Sequence, residues 1–179
     1  MRIGDALYFS PRITFSELDI LGDHFPYQLH DRFLGYYISP SQVLADSGHA
    51  FGSGLLLVSC IDALALYETG NSEVGFRFKR WCEENLPSFA DKGRRDRFYR
   101  FFRNGLVHEG RIKNGGEFSL DPGMTIIDNP PIMSINPRYL AEEVIDGLDR
   151  FVAKIQDDRV LRQAVNRRIA NYFSLELGA

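Results

Sequence analysis

The chain has 179 residues, 44% of them hydrophobic and 13% aromatic, enough to bury one substantial core, so a single domain is the default. Its two cysteines, Cys60 and Cys82, show neither CxxC nor Cys/His ligand spacing, which argues against a disulfide framework or a zinc module. A formal net charge of −3 excludes a protein coated throughout in basic side chains.

Residues 1–30 are rich in aromatics and broken by Pro11, Gly22 and Pro26; with no sustained period, they read as an irregular arm preceding a domain at 31–179. The start "MRIGDALYFSPRITF" lacks the charged, apolar and small-residue sequence of a secretory signal, and no long apolar run reads as a membrane span. The expectation is a cytoplasmic protein without a membrane partner.

Ser39 with Pro40 reads as an N-cap and first helical residue opening "SQVLAD". Gly48, Gly52 and Gly54 then crowd a junction before "LLLVSCIDALALYETG", a core helix ending near Gly70. The glycines lack the Gly-Lys-Ser/Thr ending of a phosphate loop and are expected to serve close helix packing. A charged helix follows over 72–85, stopped by Leu86-Pro87, and another over 89–113, stopped by Asn114-Gly115-Gly116.

Asp-Pro-Gly and Asn-Pro-Pro then separate short apolar pieces, predicting a β-hairpin insertion around 117–135. "NPRYLAEEVIDGLDRFVAKI" begins with an Asn cap and Pro137 and keeps amphipathic spacing; a last helix covers 158–173. Together these predict a mainly α protein, an up-and-down bundle of four to five helices with an inserted β-hairpin.

Charge is uneven along this order. Residues 92–113 hold eight basic against two acidic side chains, a local +6, leaving thirteen basic against twenty-two acidic elsewhere, or −9. Inside that segment lies "FYRFFRNGLVHEG", residues 98–110, where Arg103, Asn104 and His108 interrupt an otherwise apolar run. On a helix, Asn104 and His108 share a face, while Arg103 sits roughly 140° around the axis from His108 and must swing its side chain back. Gly105 removes a side chain between them, which suggests a pocket floor.

Arginine matches phosphate oxygens with a planar fork and stabilises charge that develops in a transition state. Histidine moves a proton near neutrality. The set suits phosphoryl transfer on RNA, whose own 2′-hydroxyl is the nucleophile, with no cofactor and no metal. His24 and His30, beside Asp23 and Asp31, match no compact chelate spacing. Asp62, in the most apolar helix, is the candidate support for Arg103 or His108 from a neighbouring helix.

"RNGLVH" resembles the signature of HEPN domains, an Arg, a polar residue that is often Asn, three further residues and then a His, that marks metal-independent endoribonucleases. The likeness covers roughly residues 32–172. It implies Arg103 on the scissile phosphate, His108 moving the proton, and Asn104 orienting phosphate or ribose. It also implies a two-fold homodimer with a composite active site, RNA as substrate, products with a 2′,3′-cyclic phosphate and a 5′-hydroxyl, and a toxin or defence role with an antitoxin protein as partner. Arg100, Arg111 and Lys113 are the expected substrate-binding cations. Members modified by a nucleotidyltransferase antitoxin commonly carry a Tyr two residues after the His; Gly110 stands here. The alternative is a non-catalytic HEPN-like module that binds RNA or nucleotide, or dimerises, without cutting.

Overall fold

A computed structural model describes residues 1–70 and 72–178. In chain order they form strands β1 (Arg2–Ile3) and β2 (Ala6–Leu7), a 3-10 turn at Phe15–Glu17, and helices α1 (Phe25–Phe33), α2 (Ser39–Asp46), α3 (Ala50–Thr69), α4 (Val74–Asn85), α5 (Lys92–Phe98) and α6 (Asn104–Glu109). Strands β3 (Gly116–Phe118), β4 (Ile126–Asn129) and β5 (Ile132–Ile135) follow, then helices α7 (Pro137–Asp157) and α8 (Arg159–Tyr172). The protein is mainly α, helices packed on one another with two small sheets. Among the described residues the helices outnumber the expected four to five, partly because π-turns at Leu34–Ile38 and Tyr99–Arg103 divide two helical runs.

The first π-turn has a local cause. Pro40 has no N–H for the carbonyl four residues back and its ring crowds that carbonyl, so the ladder widens just ahead of it. Ser39 consequently continues a helix and makes no side-chain cap, contrary to the expected helix start.

Two compact units divide the chain: Met1–Tyr36 with the segment from Leu148 onward, and Tyr37–Gly147. The expected arm boundary at residue 30 falls inside α1. In the first unit, the N-terminal segment is pinned by rings: Phe9 lies 5.7 Å from Phe15 and 5.9 Å from Phe173, and the Arg32 guanidinium covers Phe9 and Phe173 at 4.9 and 4.8 Å.

Asp31 ties the same segment down by polar contacts, accepting from Ser10 Oγ and from Arg12 Nε at 2.7 Å. Burial pushes the Asp31 carboxyl up, but the hydrogen bonds from Arg12 and Ser10 outweigh it and hold the group below its ordinary value. A depressed folded pKa gives stability that is present above the unfolded value of 3.8 and is lost as pH falls through the folded one. In urea unfolding, wild type should exceed Asp31→Asn in stability at pH 6, and the gap should narrow at pH 3; an equal gap at both would refute the pairing.

In the second unit, α3 packs against α2 and α4. Contrary to the expectation of no such run, α3 is long and apolar enough to cross a membrane by length and composition. Half of that stretch is buried inside the protein, and its Asp62 is bridged to two arginines. Gly70, at φ +63°, ends α3 in the left-handed conformation expected of a helix-stopping glycine. Two of the three junction glycines serve packing: Gly54 lies under the Phe118 ring, where a Cβ would overlap ring atoms, and Gly52 faces Leu44, whereas Gly48, at φ +82° with open space beside it, serves the turn between α2 and α3. The thiols of Cys60 and Cys82 are free and buried, and burial raises both pKa values, which makes them poor nucleophiles.

The predicted hairpin is β4–β5, antiparallel and turning through Pro130-Pro131. β3 joins β5 in parallel, giving the order β3-β5-β4. Asn136 caps α7 as expected: its side-chain oxygen accepts from Arg138 N at 3.0 Å, and its amide nitrogen donates to Leu120 O and Pro122 O.

Candidate active site

The run expected as one helix over 89–113 is instead α5, the π-turn Tyr99–Arg103 and α6, ending at Glu109. The Asn104 N–H donates to Tyr99 O, five residues back. A π-turn advances less around the axis per residue than an α-turn, so Arg103 comes nearer to the inner face shared by Phe98 than a regular helix would bring it. Phe98 and Phe102 are fully buried, Phe89 stacks on Phe98 at 4.3 Å, and Phe118 meets Phe102 at 5.0 Å. This aromatic packing holds the inner face of the turn and carries Arg103 in with it.

Gly110, at φ +65°, ends the helix four residues earlier than Asn114-Gly115-Gly116 would. A tyrosine at 110 would sit in a conformation that L side chains rarely adopt. Beyond it the chain folds back, Lys113 N donating to Phe101 O at 3.0 Å. Gly105 therefore floors no pocket: Arg111 O occupies the space, and a Cβ at 105 would overlap it.

Three of the sequence candidates come together, with a fourth supporting them from α3. Arg103 is buried, and its Nη2 donates to Asp62 Oδ2 at 2.8 Å. Its Nη1 faces His108 Nε2 at 3.1 Å and approaches Asn104 Oδ1 at 3.5 Å. A guanidinium has only donors, so His108 Nε2 is the acceptor and the ring proton sits on Nδ1. His108 is exposed and Asn104 half-buried, so the imidazole meets solvent while the guanidinium behind it is anchored. Ser59, one turn before Asp62, takes no part; its hydroxyl donates to Leu55 O.

Neither acid nearest in sequence takes Arg103. Asp96 pairs with Lys79 at 3.0 Å, and Glu109 pairs with Arg111 at 2.9 Å and with Lys113. Lys113 and Arg111 hold the Glu109 carboxyl below its ordinary value. Two of the three expected substrate-binding cations thus share Glu109, whereas Arg100 is exposed and lies over the Phe101 ring at 5.1 Å. Much of the basic run is matched likewise: Arg94 and Arg97 meet Asp128, and Arg95 meets Glu83 at 2.7 Å.

Sequence reading missed Arg77. It is buried on α4, and its Nη2 faces the other oxygen of Asp62 at 3.4 Å. The signal was available: positions 74, 77, 78, 81, 82 and 85 make one stripe of helical spacing, otherwise mostly apolar, so an arginine on it needs a buried anion opposite. An open groove of about 600 Å³ lined by Phe76, Lys79, Arg80, Lys92 and Arg95 includes none of the motif residues.

No protein-family model matches the chain, and neither a curated protein nor a solved structure matches it.

Proposed function

We propose that the protein is a metal-independent endoribonuclease of HEPN type. The observation that carries this reading is the 3.1 Å approach of Arg103 Nη1 to His108 Nε2, with Asp62 anchoring the guanidinium from behind. A phosphate placed at the exposed side of this pair meets a fixed cation and a proton acceptor together.

In the reaction, Arg103 Nη1 turns from His108 to a phosphoryl oxygen, which frees the Nε2 lone pair to take the 2′-hydroxyl proton as the 2′-oxygen attacks phosphorus. Arg103 stabilises the extra charge on the phosphoryl oxygens, and the bond to the 5′-oxygen breaks. That oxygen collects a proton and leaves as a 5′-hydroxyl, while the other product ends in a 2′,3′-cyclic phosphate. One imidazole per chain serves one proton transfer, and a second copy facing it supplies the other, the role we assign to a homodimer. Arg100, exposed beside the motif, contributes charge along the strand, with smaller contributions from Arg111 and Lys113, which Glu109 already partly neutralises. A toxin or defence role with an antitoxin protein as partner fits this activity.

The deep burial of Arg103 favours a second reading, a module that binds RNA or nucleotide, or dimerises, without cutting. Purified protein incubated with RNA and with DNA of matched sequence in EDTA separates the two. The ribonuclease reading expects RNA fragments and intact DNA; salt-sensitive RNA binding without fragments, or no interaction, supports the module.

A further inference from the structure

The carboxylate of Asp62 is divided between two arginines. Oδ2 accepts from Arg103 Nη2 at 2.8 Å, and Oδ1 faces Arg77 Nη2 at 3.4 Å. Arginine and carboxylate favour a two-point fork, in which Arg103 Nε and Nη2 would both face Asp62. That fork is not made. Arg103 Nε is buried and finds no acceptor among the described residues, a costly state that calls for a cause.

The cause lies on the other oxygen. Arg77 turns Oδ1 toward itself and away from Arg103 Nε, and the one-point contact through Oδ2 leaves Nη1 against His108 Nε2 at 3.1 Å.

We infer that Arg77 is a positioning residue for the proposed reaction: by holding Asp62 Oδ1 it keeps Arg103 out of the fork and its Nη1 on His108. Arg77 touches no reacting atom in this scheme. The inference rests on the ribonuclease reading for its rate effect but not for its geometry.

The test uses the full chain carrying Arg77→Gln or Arg77→Lys, with thermal unfolding to establish the folded fraction. The first readout is single-turnover RNA cleavage, and the second is the His108 ring tautomer by ¹⁵N NMR. In Arg77→Gln, Arg103 turns to satisfy Nε at Asp62. Cleavage per folded molecule should then fall roughly 10- to 100-fold with RNA affinity changed much less, and His108 should lose its preference for the Nδ1 proton. Arg77→Lys, which restores a cation opposite Oδ1, should recover most of both. A wild-type rate and tautomer in folded Arg77→Gln would overturn the inference, as would equal losses in both variants that track unfolding alone. If wild type cuts no RNA, the ribonuclease reading fails, and the tautomer comparison still decides the geometry.

Discussion

Replacing His108 with alanine should lower RNA cleavage by about 10³-fold, within the range for removing a general base, while leaving the fold intact. The imidazole is exposed, and its hydrogen-bond contact is with the Arg103 guanidinium, so the stability change should stay within about 1.5 kcal/mol, the worth of one hydrogen bond. Cleavage rate and melting temperature measured on one preparation therefore part company. The comparison matters because an impaired nuclease and an unfolded protein look alike in a digestion assay. Wild-type cleavage by a folded His108→Ala protein would remove His108 from the mechanism.

Asp62→Ala should affect both quantities. The carboxylate sits between two buried guanidiniums, and its removal takes from each an anion that helps offset its desolvation. Asp62 keeps some contact with solvent, which softens the effect to about 3 kcal/mol, or a melting temperature lower by on the order of 10 °C for a chain of this size. Cleavage by the remaining folded molecules should fall as well, because Arg103 loses its anchor and Nη1 loses its fixed place beside His108. Asp62→Asn, which keeps shape and one acceptor, should fall between. A melting temperature unchanged in Asp62→Ala would mean that the arginines find other anions and that Asp62 does not organise the site.

Much of the fold was legible where one residue decides a boundary. Gly70 ends α3 because a left-handed residue is needed there, Leu86-Pro87 closes α4, and Asn136 caps α7 with its own side chain. Less legible were features that depend on two segments meeting. The parallel pairing of β3 with β5 leaves no trace in either strand's composition. The π-turn at Tyr99–Arg103 stayed hidden because its aromatic residues fit a regular α pattern almost as well, and the wider turn shows only when Phe98, Phe102 and Arg103 must all face inward. Gly110 was passed over as a helix end in favour of the stronger punctuation of Asn114-Gly115-Gly116.

The candidate site divides in the same manner. Arg103, Asn104 and His108 lie within six residues, so their meeting could be anticipated from helical geometry, and Asp62 stood out as an acid in the most apolar helix. Gly105 was misjudged, since nothing in its sequence context announces that Arg111 O will fill the space beside it. Arg77 was overlooked because a charged residue in a charged helix draws no notice until the buried stripe of α4 is traced through it.

The most direct test of the account is the chemistry of the cut ends. An RNA oligonucleotide should be incubated with the protein in EDTA beside an identical one carrying a single 2′-deoxy nucleotide on the 5′ side of the preferred cleavage site, and the products weighed by mass spectrometry. Attack by the neighbouring 2′-oxygen predicts a 2′,3′-cyclic phosphate and a 5′-hydroxyl from the first and an intact bond at that site in the second. Cleavage beside the deoxy nucleotide, or a 5′-phosphate on the product, would contradict it.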